Sequence, residues 1–304
     1  MQSPFHEGEL KVQRLAGESH VAASNGAMVA DKLMRGAWPF LAQQSFAVFG
    51  SSDDEGRVWA SMLFGIPGFM TSNNGLSVRF DLSLVALQVE DPFWRNIEGN
   101  STVGMIAIEL ATRRRVRING AIVRSELTTL KLDVKEAFPN CPKYITRRVL
   151  KTVVTGDPEK GESDCGKILA TKQKQLLERG DTLFIASAHP TRGADASHRG
   201  GNPGFIAVLD ERTLRVPDYP GNSMFNTLGN LVVNPSAGMV VPDFENGRIL
   251  QLTGRAELLF NVDDPENTTG GTERFLIFHI GEWLQSALPS GIRSELVDYS
   301  PYNP

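Results

Sequence analysis

One stretch of this chain has the residue types and spacing of a phosphate-binding loop. Residues 161–167, GESDCGK, match a P-loop up to its lysine, but Ile168 stands where that loop needs a magnesium-binding Ser or Thr. Glu162 and Asp164 would repel a phosphate, and no buried strand precedes the stretch. We therefore interpret it as part of an interdomain linker.

The histidines and cysteines give no recognisable metal centre or nucleophile. His6-Glu7 is followed by Leu10 rather than by a second histidine, so the HExxH motif of zinc proteases is absent. His189 and His198 are nine residues apart in a predicted loop, where a solvated pair is the simpler interpretation. The sequence also lacks CxxC, GxSxG and strand-linked GxGxxG motifs. We predict no metal site.

The composition is that of an ordinary globular protein. The chain has 304 residues, of which 41% are apolar and 22% charged, and its net charge at pH 7 is −4. This charge argues against a nucleic-acid or anionic-membrane partner. No apolar run approaches the roughly 18 residues that a membrane-spanning helix needs. Cys141 and Cys165 are too few for a disulfide framework, so we expect a cytoplasmic protein.

The chain contains an internal repeat. Residues 40–51 match 176–187 at an offset of 136, and the turn at 67–70 matches 203–206 at the same offset. Asn100 matches Asn234 at an offset of 134. Short matches that keep their order and drift by so little indicate two copies of one structural unit.

Each copy is predicted to contain strands and one short helical stretch. The predicted strands are 46–51, 57–63, 76–80, 103–109 and 115–124 in the first copy, with a helix from Asp91, and 182–188, 204–209, 214–216, 237–241 and 248–257 in the second, with a helical stretch at 224–233. Short strands separated by Gly, Pro and Asn turns favour a small antiparallel barrel in each copy.

The segment between the copies is predicted to be helix, loop and helix. We expect a helix at 144–154, a polar loop at 155–166 and an amphipathic helix at 167–179. The predicted domains are an N-terminal helical arm with the first barrel (1–154), a linker (155–166), and the second barrel with a C-terminal tail (167–304).

The densest set of distinctive residues resembles the pyridoxamine 5′-phosphate oxidase-like, FMN-binding split-barrel family, and in particular its two-copy members. The pieces that carry the resemblance are GNPGF at 201–205, PDY at 217–219 with GN at 221–222, TLGNL at 227–231, NP at 234–235 and LTGRA at 252–256, together with FHEGELKVQ at 5–13, GRVWAS at 56–61, RRRVRING at 113–120 and NCPKYI at 140–145.

The resemblance implies a fold and a cofactor. The expected fold class is mainly β with α: tandem split β-barrels that form a pseudo-dimer within one chain. Flavin mononucleotide (FMN) is expected in the groove between the barrels. A further homodimer of the whole chain stays possible.

The resemblance also implies the cofactor-binding residues of the second barrel. Arg199 and Asn202 fall where the family carries its phosphate-binding arginine, and Pro217 and Asp218 fall near the flavin edge. Asn226-Thr227 replaces an Arg-Lys pair that grips the phosphate. Two charge-assisted contacts, each worth about 1.5 to 3 kcal/mol, are thereby lost. Phosphate binding must then rely on Arg199, Thr227, Asn222 and backbone donors, or be weaker.

In the first barrel, the resemblance places Trp59, Ser61 and Arg115 at the same groove, and the arginines at 113–117 could supply positive charge to the phosphate. Each has a simpler alternative. Trp59 can be core packing, and Asn222 can be a turn residue. Arg113, Arg114 and Arg115 can form an exposed strand end paired with local carboxylates. Cys141 can be a small buried residue or have a redox role.

Three functions are compatible with these residues. The first is an FMN-dependent oxidoreductase acting on a small-molecule substrate or reduced nicotinamide, for which the cofactor carries the chemistry. The second is a non-catalytic flavin- or haem-binding protein, and the third is a structural barrel pair without a ligand. A bound chromophore separates the first two from the third.

Overall fold

The computed structural model describes residues 3–152 and 163–304, and strands form most of its regular structure. The first part contains α1 (Glu7–Leu15), α2 (Ser19–Gly26), α3 (Ala37–Ala42), β1 (Phe46–Ser52), β2 (Val58–Gly65), β3 (Met70–Thr71), β4 (Ser77–Asp81), β5 (Val85–Ala86), α4 (Pro92–Gly99), β6 (Thr102–Glu109), β7 (Arg114–Glu126), β8 (Thr129–Pro139) and β9 (Arg147–Thr152).

The second part repeats this order. It contains β10 (Asp164–Gly166), α5 (Thr171–Arg179), β11 (Thr182–His189), β12 (Gly193–Gly200), β13 (Ala207–Val208), β14 (Thr213–Pro217), α6 (Asn226–Val233), β15 (Ser236–Asp243), β16 (Arg248–Leu259), β17 (Phe275–Ala287) and β18 (Ile292–Asp298). None of the helices described has the length and apolar character needed to cross a bilayer.

The two large sheets have the same strand order, which confirms the internal repeat. The first sheet runs β3-β4-β8-β7-β6-β1-β2-β5 and the second β13-β14-β17-β16-β15-β11-β12, with β10 added beside β17. Thus β1, β2, β6 and β7 correspond to β11, β12, β15 and β16. The fold is mainly β with a few helices, and its two split barrels stand in tandem.

The strand sequences explain why the sheets curl around separate cores. Alternate residues of β4 point inwards, so Val78 and Phe80 are buried while Arg79 between them is exposed. Every residue of β2 is buried, because one face of this strand contacts its own barrel and the other contacts the second barrel. A shared apolar cluster that includes Val48, Phe184 and Val240 fills the space between the barrels.

Glycines allow the barrels to approach closely, and they do so in symmetric pairs. A Cβ atom on Gly104 of β6 would lie 2.2 Å from the Cα of Asp195 in β12. At the corresponding position of the other copy, a Cβ atom on Gly238 of β15 would lie 2.6 Å from the Cα of Trp59 in β2. Backbone therefore meets backbone on both sides of a pseudo-two-fold axis, as expected for a pseudo-dimer.

The prediction of a helix at 144–154 is wrong where the chain is described. Arg147–Thr152 form β9, which pairs antiparallel with β18 near the C-terminus. A partner about 145 residues away is invisible to local pattern analysis. The pairing is fixed to the second barrel by Arg148, which forms a buried ion pair at 2.5 Å with Asp181.

Two further predictions need correction. The strand predicted at 204–209 is limited to Ala207–Val208, and the main strand of this region is β12, which the sequence suggested was a loop. His189 and His198 are accordingly not a solvated pair, because both are buried in neighbouring strands. Because β12 lies at a polar pocket, it is rich in polar residues and lacks the apolar pattern by which a strand is predicted. The predicted linker lies outside the described residues at 155–162, and its end forms β10.

Candidate functional site

A pocket opens between the two barrels, where β7 of the first barrel faces β12 and α6 of the second. It holds about 810 Å³ of space between protein atoms, part of it open to solvent. Among the residues that line it are Arg115, Arg117, Ser197, His198, Arg199, Tyr144, Tyr219, Phe205, Phe225, Asn226 and Thr227.

Three arginines give the pocket its positive charge. Arg115 and Arg117 project from alternate positions of β7, and Arg199 comes from β12 of the other barrel. Arg117 is buried and pairs with the buried carboxylate of Asp195. Arg199 lies 3.7 Å from Asp218, measured between Nη2 and Oδ1. The two barrels therefore contribute jointly to one cationic wall.

Arg115 has no carboxylate partner within the part of the chain that the structure describes. Its Nε donates to the carbonyl of Cys141 at 3.0 Å, and its Nη1 lies 3.1 Å from Nδ1 of His198. Burial lowers the pKa of Arg115 to about 10, so the guanidinium is still charged at neutral pH. Burial, with the nearby charges of Arg115 and Arg199, also holds the pKa of His198 well below its usual value. A neutral His198 can accept a hydrogen bond from Arg115 at Nδ1.

A buried polar network supports the base of the pocket. The Asp195 carboxylate accepts hydrogen bonds from Asn119 on β7 and from the Thr227 hydroxyl at the start of α6, both at 3.3 Å. The hydroxyls of Thr227 and Ser197 are 2.9 Å apart. Asp195 thus links both barrels to α6, and its single charge is already neutralised by Arg117.

The N-terminus of α6 points into the pocket without a side-chain cap. Its N-cap residue, Phe225, has a left-handed backbone and no capping hydrogen bond. By contrast, the corresponding helix α4 begins with a capped turn, in which the Asp91 side chain accepts a hydrogen bond from the N–H of Phe93. Uncapped N–H groups at a helix start carry partial positive charge and suit an anion.

Aromatic side chains form the outer rim. The rings of Tyr144 and Tyr219 are 4.7 Å apart, and Phe205 and Phe225 line the same opening. The Tyr144 hydroxyl donates to the carbonyl of Pro220 at 2.9 Å. Burial raises the pKa of both tyrosines to about 12, so each hydroxyl keeps its proton at neutral pH. The pocket therefore has a cationic base and an aromatic, apolar rim.

The repeat places a second groove on the other side of the pseudo-two-fold axis, and this one is filled. The residues at the positions of Arg115, Arg117 and Arg199 are Ile249, Gln251 and Leu63, respectively. The groove holds about 230 Å³, and Met62, Phe93 and Trp94 are among its lining residues. Gln251 is tied to the other barrel, because its Nε2 donates to the Ala60 carbonyl at 2.9 Å.

The predicted cofactor-binding residues divide into two groups. Arg199, Pro217, Asp218, Asn222, Asn226, Thr227 and Arg115 line the open pocket. The other three lie elsewhere. Asn202 is exposed and contacts the C-terminal residues Asn303 and Pro304. Trp59 is buried against Gly238 between the barrels, and Ser61 lines the filled groove. Flavin binding by the seven pocket residues stays a prediction.

The sequence does not show how some of the pocket residues come together. Tyr144 and Tyr219 come from loops 75 residues apart, and no local pattern shows that they meet. His198 lies in β12, where the sequence predicts a loop. Arg117 belongs to the arginine run at 113–117 that the sequence offers as positive charge for a phosphate, and it lines the pocket. Gln251 occupies the equivalent position of the other copy, and this difference between the copies distinguishes Arg117 within the run.

Comparison with known proteins gives structural matches of low similarity. No protein-family model matches the chain, and no curated protein sequence matches it. A protein from Clostridium acetobutylicum related to general stress protein 26, of the pyridoxinephosphate oxidase family, is 12% identical with a TM-score of 0.30; the match covers 41% of this chain and 92% of that one. An FAD-binding protein from Mesorhizobium loti is 14% identical with a TM-score of 0.29, covering 42% and 98%. An F420 reductase is 19% identical with a TM-score of 0.27, covering 36% and 94%.

Proposed function

We propose that this protein is a flavin-dependent oxidoreductase of the pyridoxamine 5′-phosphate oxidase-like class, which binds one FMN per chain in the pocket between the barrels. The observation that carries the proposal is the cluster of Arg115, Arg117 and Arg199 beside the uncapped start of α6. Arginines and helix N–H groups are the donors that bind a phosphate most strongly.

The charges around the pocket favour an anionic ligand. Asp195 neutralises Arg117, and Asp218 is shared between Arg199 and the buried Arg274, whose Nε lies 2.9 Å from the same carboxylate. Arg115 has no carboxylate within 4 Å among the described residues. An excess of buried positive charge is costly unless a ligand compensates it. A phosphate at this position would do so.

Two arginines of the first barrel can compensate for the Arg-Lys pair that the second barrel lacks. The family's Arg-Lys pair is replaced here by Asn226-Thr227 at the start of α6. Arg115 and Arg117 reach the same pocket from β7, so the cationic donors come from the opposite barrel. We infer that these two side chains take over the role of the missing pair.

The aromatic rim suits the other end of the cofactor. A flavin ring needs an apolar slot with a few polar donors at its edge. Tyr144, Tyr219, Phe205 and Phe225 provide aromatic surface at the pocket. The Tyr144 hydroxyl is already bonded to the Pro220 carbonyl, so the protonated Tyr219 hydroxyl is the polar group offered to a ligand at neutral pH. Bound flavin would supply hydride and electron transfer between reduced nicotinamide or a small-molecule substrate and an acceptor.

The filled groove supports the binding of one FMN per chain. It lacks all three arginines, and Phe93 and Trp94 help to fill the space that the open pocket leaves empty. A single chain therefore supplies both barrels to one site and needs no second copy to complete it.

Anaerobic absorbance spectroscopy tests the proposed activity. The purified chain is mixed with FMN, freed of excess ligand, and then treated with NADH or NADPH. We expect a protein-bound flavin spectrum that bleaches with reductant. A flavin spectrum that stays unchanged with either nicotinamide would contradict nicotinamide oxidation and favour a flavin carrier or another substrate. A colourless protein would leave only the structural barrel pair.

A further inference from the structure

Two segments of the chain lie against each other beside the pocket. The N-terminal arm is residues 3–26, which contain α1 and α2. The site loop is residues 222–227, which lead into α6 and which, except for Met224, line the pocket. The arm belongs to the first part of the chain, yet it packs on the second barrel. Contacts between α1 and α6 are extensive, whereas α4 at the filled groove has no such partner among its main contacts.

The arm holds the backbone of the site loop through side-chain amides. Nδ2 of Asn25 donates to the carbonyl of Asn222 at 2.8 Å. Nε2 of Gln13 donates to the carbonyl of Met224 at 3.1 Å, and both groups are buried. A buried carbonyl that loses its only donor costs free energy, so these bonds favour one loop conformation.

Two carboxylates of the arm hold side chains of the same loop. Glu18 accepts a hydrogen bond from the Ser223 hydroxyl at 2.5 Å and pairs with Arg274 at 3.0 Å. Glu9 accepts from Nδ2 of Asn226 at 2.5 Å, and its other oxygen accepts the N–H of His6 at 2.8 Å. Asn226 lines the pocket, so Glu9 contacts the site through Asn226 and not directly.

The backbones of α1 and α6 pack directly against each other. A Cβ atom on Gly8 would lie 2.2 Å from the carbonyl oxygen of Gly229, and a Cβ atom on Gly229 would lie 2.6 Å from the Cα of Glu9. Only glycine at both positions allows this approach. The contact fixes the distance between α1 and the first turns of α6.

Two histidines hold the start of the arm in place through hydrogen bonds. Nδ1 of His6 accepts the N–H of Gly8, and its Nε2 bonds to Asn230 of α6 at 2.9 Å. Nε2 of His189 bonds to Glu7 at 3.0 Å. The three side chains His6, Glu7 and His189 lie within 4.8 Å of one another, but these bonds already use the nitrogens that a metal would need. These side chains therefore attach the arm to β11 and α6.

The conformation that the arm holds is strained. Ser223 and Phe225 have φ angles of 61° and 59°, and neither is glycine. Left-handed backbone at such residues persists only where surrounding contacts enforce it. Each of these residues is directly next to a residue held by the arm, since Asn222, Met224 and Asn226 accept or donate the bonds described above.

We propose that the N-terminal arm positions the site loop for ligand binding, and that Glu9 is the positioning residue for Asn226. With the arm docked, the strained turn at 223–225 directs the start of α6 into the pocket. With the arm detached, the loop relaxes and the pocket loses its uncapped helix start, while both barrels stay folded. The effect on FMN affinity rests on the proposed function, but the coupling between arm and loop does not.

Hydrogen exchange on the ligand-free chain tests the coupling directly. Gly8→Val forces α1 away from α6, and Glu9→Ala removes the acceptor for Asn226 without a steric clash. We expect amide exchange at 222–227 to accelerate about tenfold or more in both variants, with β6 and β15 unchanged. Lys11→Ala, at an exposed position of α1, is the matched control and should change nothing.

A second comparison separates positioning from mere stability. Glu9→Gln keeps one oxygen that can accept from Asn226, and it should restore slow exchange at 222–227 relative to Glu9→Ala. Unchanged exchange at 222–227 in both Gly8→Val and Glu9→Ala would overturn the proposal. If the unmodified chain binds no FMN, the proposed function fails, while the exchange experiment still decides whether the arm positions the loop.

Discussion

Replacing Arg199 by leucine converts one position of the open pocket to its counterpart in the filled groove. Leu63 occupies the equivalent position there, so the repeat itself supplies a side chain that the fold accepts. Asp218 keeps its contact with Arg274 at 2.9 Å after the change, and no buried carboxylate is left unpaired. We therefore expect Arg199→Leu to fold normally, with a change in unfolding free energy below about 1 kcal/mol.

The expected loss of affinity follows from one charge-assisted contact to a phosphate. Such a contact contributes about 1.5 to 3 kcal/mol, which corresponds to about a 10- to 150-fold increase in Kd for FMN. Riboflavin has the same ring system and no phosphate, so its affinity should change less than about threefold. The ratio of the two effects isolates the phosphate contact from any general damage to the pocket.

Titration of protein fluorescence with FMN and with riboflavin measures both constants. Arg212→Leu is the matched control, because Arg212 is exposed and lies outside the pocket, and it should leave both constants unchanged. An FMN affinity that is unaffected, or one that falls in parallel with riboflavin affinity, would refute the placement of the phosphate beside Arg199.

Three further predictions concern stability. Gly238→Ala should destabilise the chain by about 1 to 3 kcal/mol in urea unfolding, because the added Cβ would lie 2.6 Å from backbone atoms of β2, whereas Gly36→Ala, in open space, should not. Burial raises the pKa of Glu9 to about 7 from 4.5, so folding binds its proton and stability falls as the pH rises from 4.5 through 7; relative to Glu9→Gln, the wild type should lose about 3 kcal/mol between pH 4 and pH 8, and a constant difference would contradict this. Asp181→Ala leaves the buried Arg148 with only a 3.9 Å contact to the exposed Glu245 and should cost about 3 to 5 kcal/mol, measured by the same unfolding experiment; a loss below about 1 kcal/mol would show that the pair with Asp181 is not needed.

The sequence was sufficient for those features that depend on local pattern. Both barrels follow from strands that recur at offsets of 136 and 134, and β1, β6 and α4 lie within a few residues of their predicted bounds. Short alternating strands bounded by turn residues carry this information locally. Seven pocket residues also came from one dense stretch and from β7, because the resemblance places them by motif.

The remaining features depend on contacts between distant residues. β9 pairs with β18 near the C-terminus, and Tyr144 and Tyr219, which are 75 residues apart in the sequence, lie together only in the tertiary structure. The polar strand β12 lacks the apolar alternation that marks a strand, because its inner residues face a charged pocket. The docking of α1 on α6 was likewise not foreseen, since a glycine at position 8 gives no sign of its partner at 229.

The stoichiometry of FMN binding tests the account most directly. Isothermal titration of the purified full chain with FMN should give one site per chain. The double variant Arg115→Ile and Arg199→Leu, which carries the filled-groove residues at two positions and keeps Arg117 paired with Asp195, should lose most of that binding. Two equivalent sites per chain would contradict the assignment of the second groove as closed. The absence of any binding by the unmodified chain would contradict the central claim that this pocket holds a flavin phosphate.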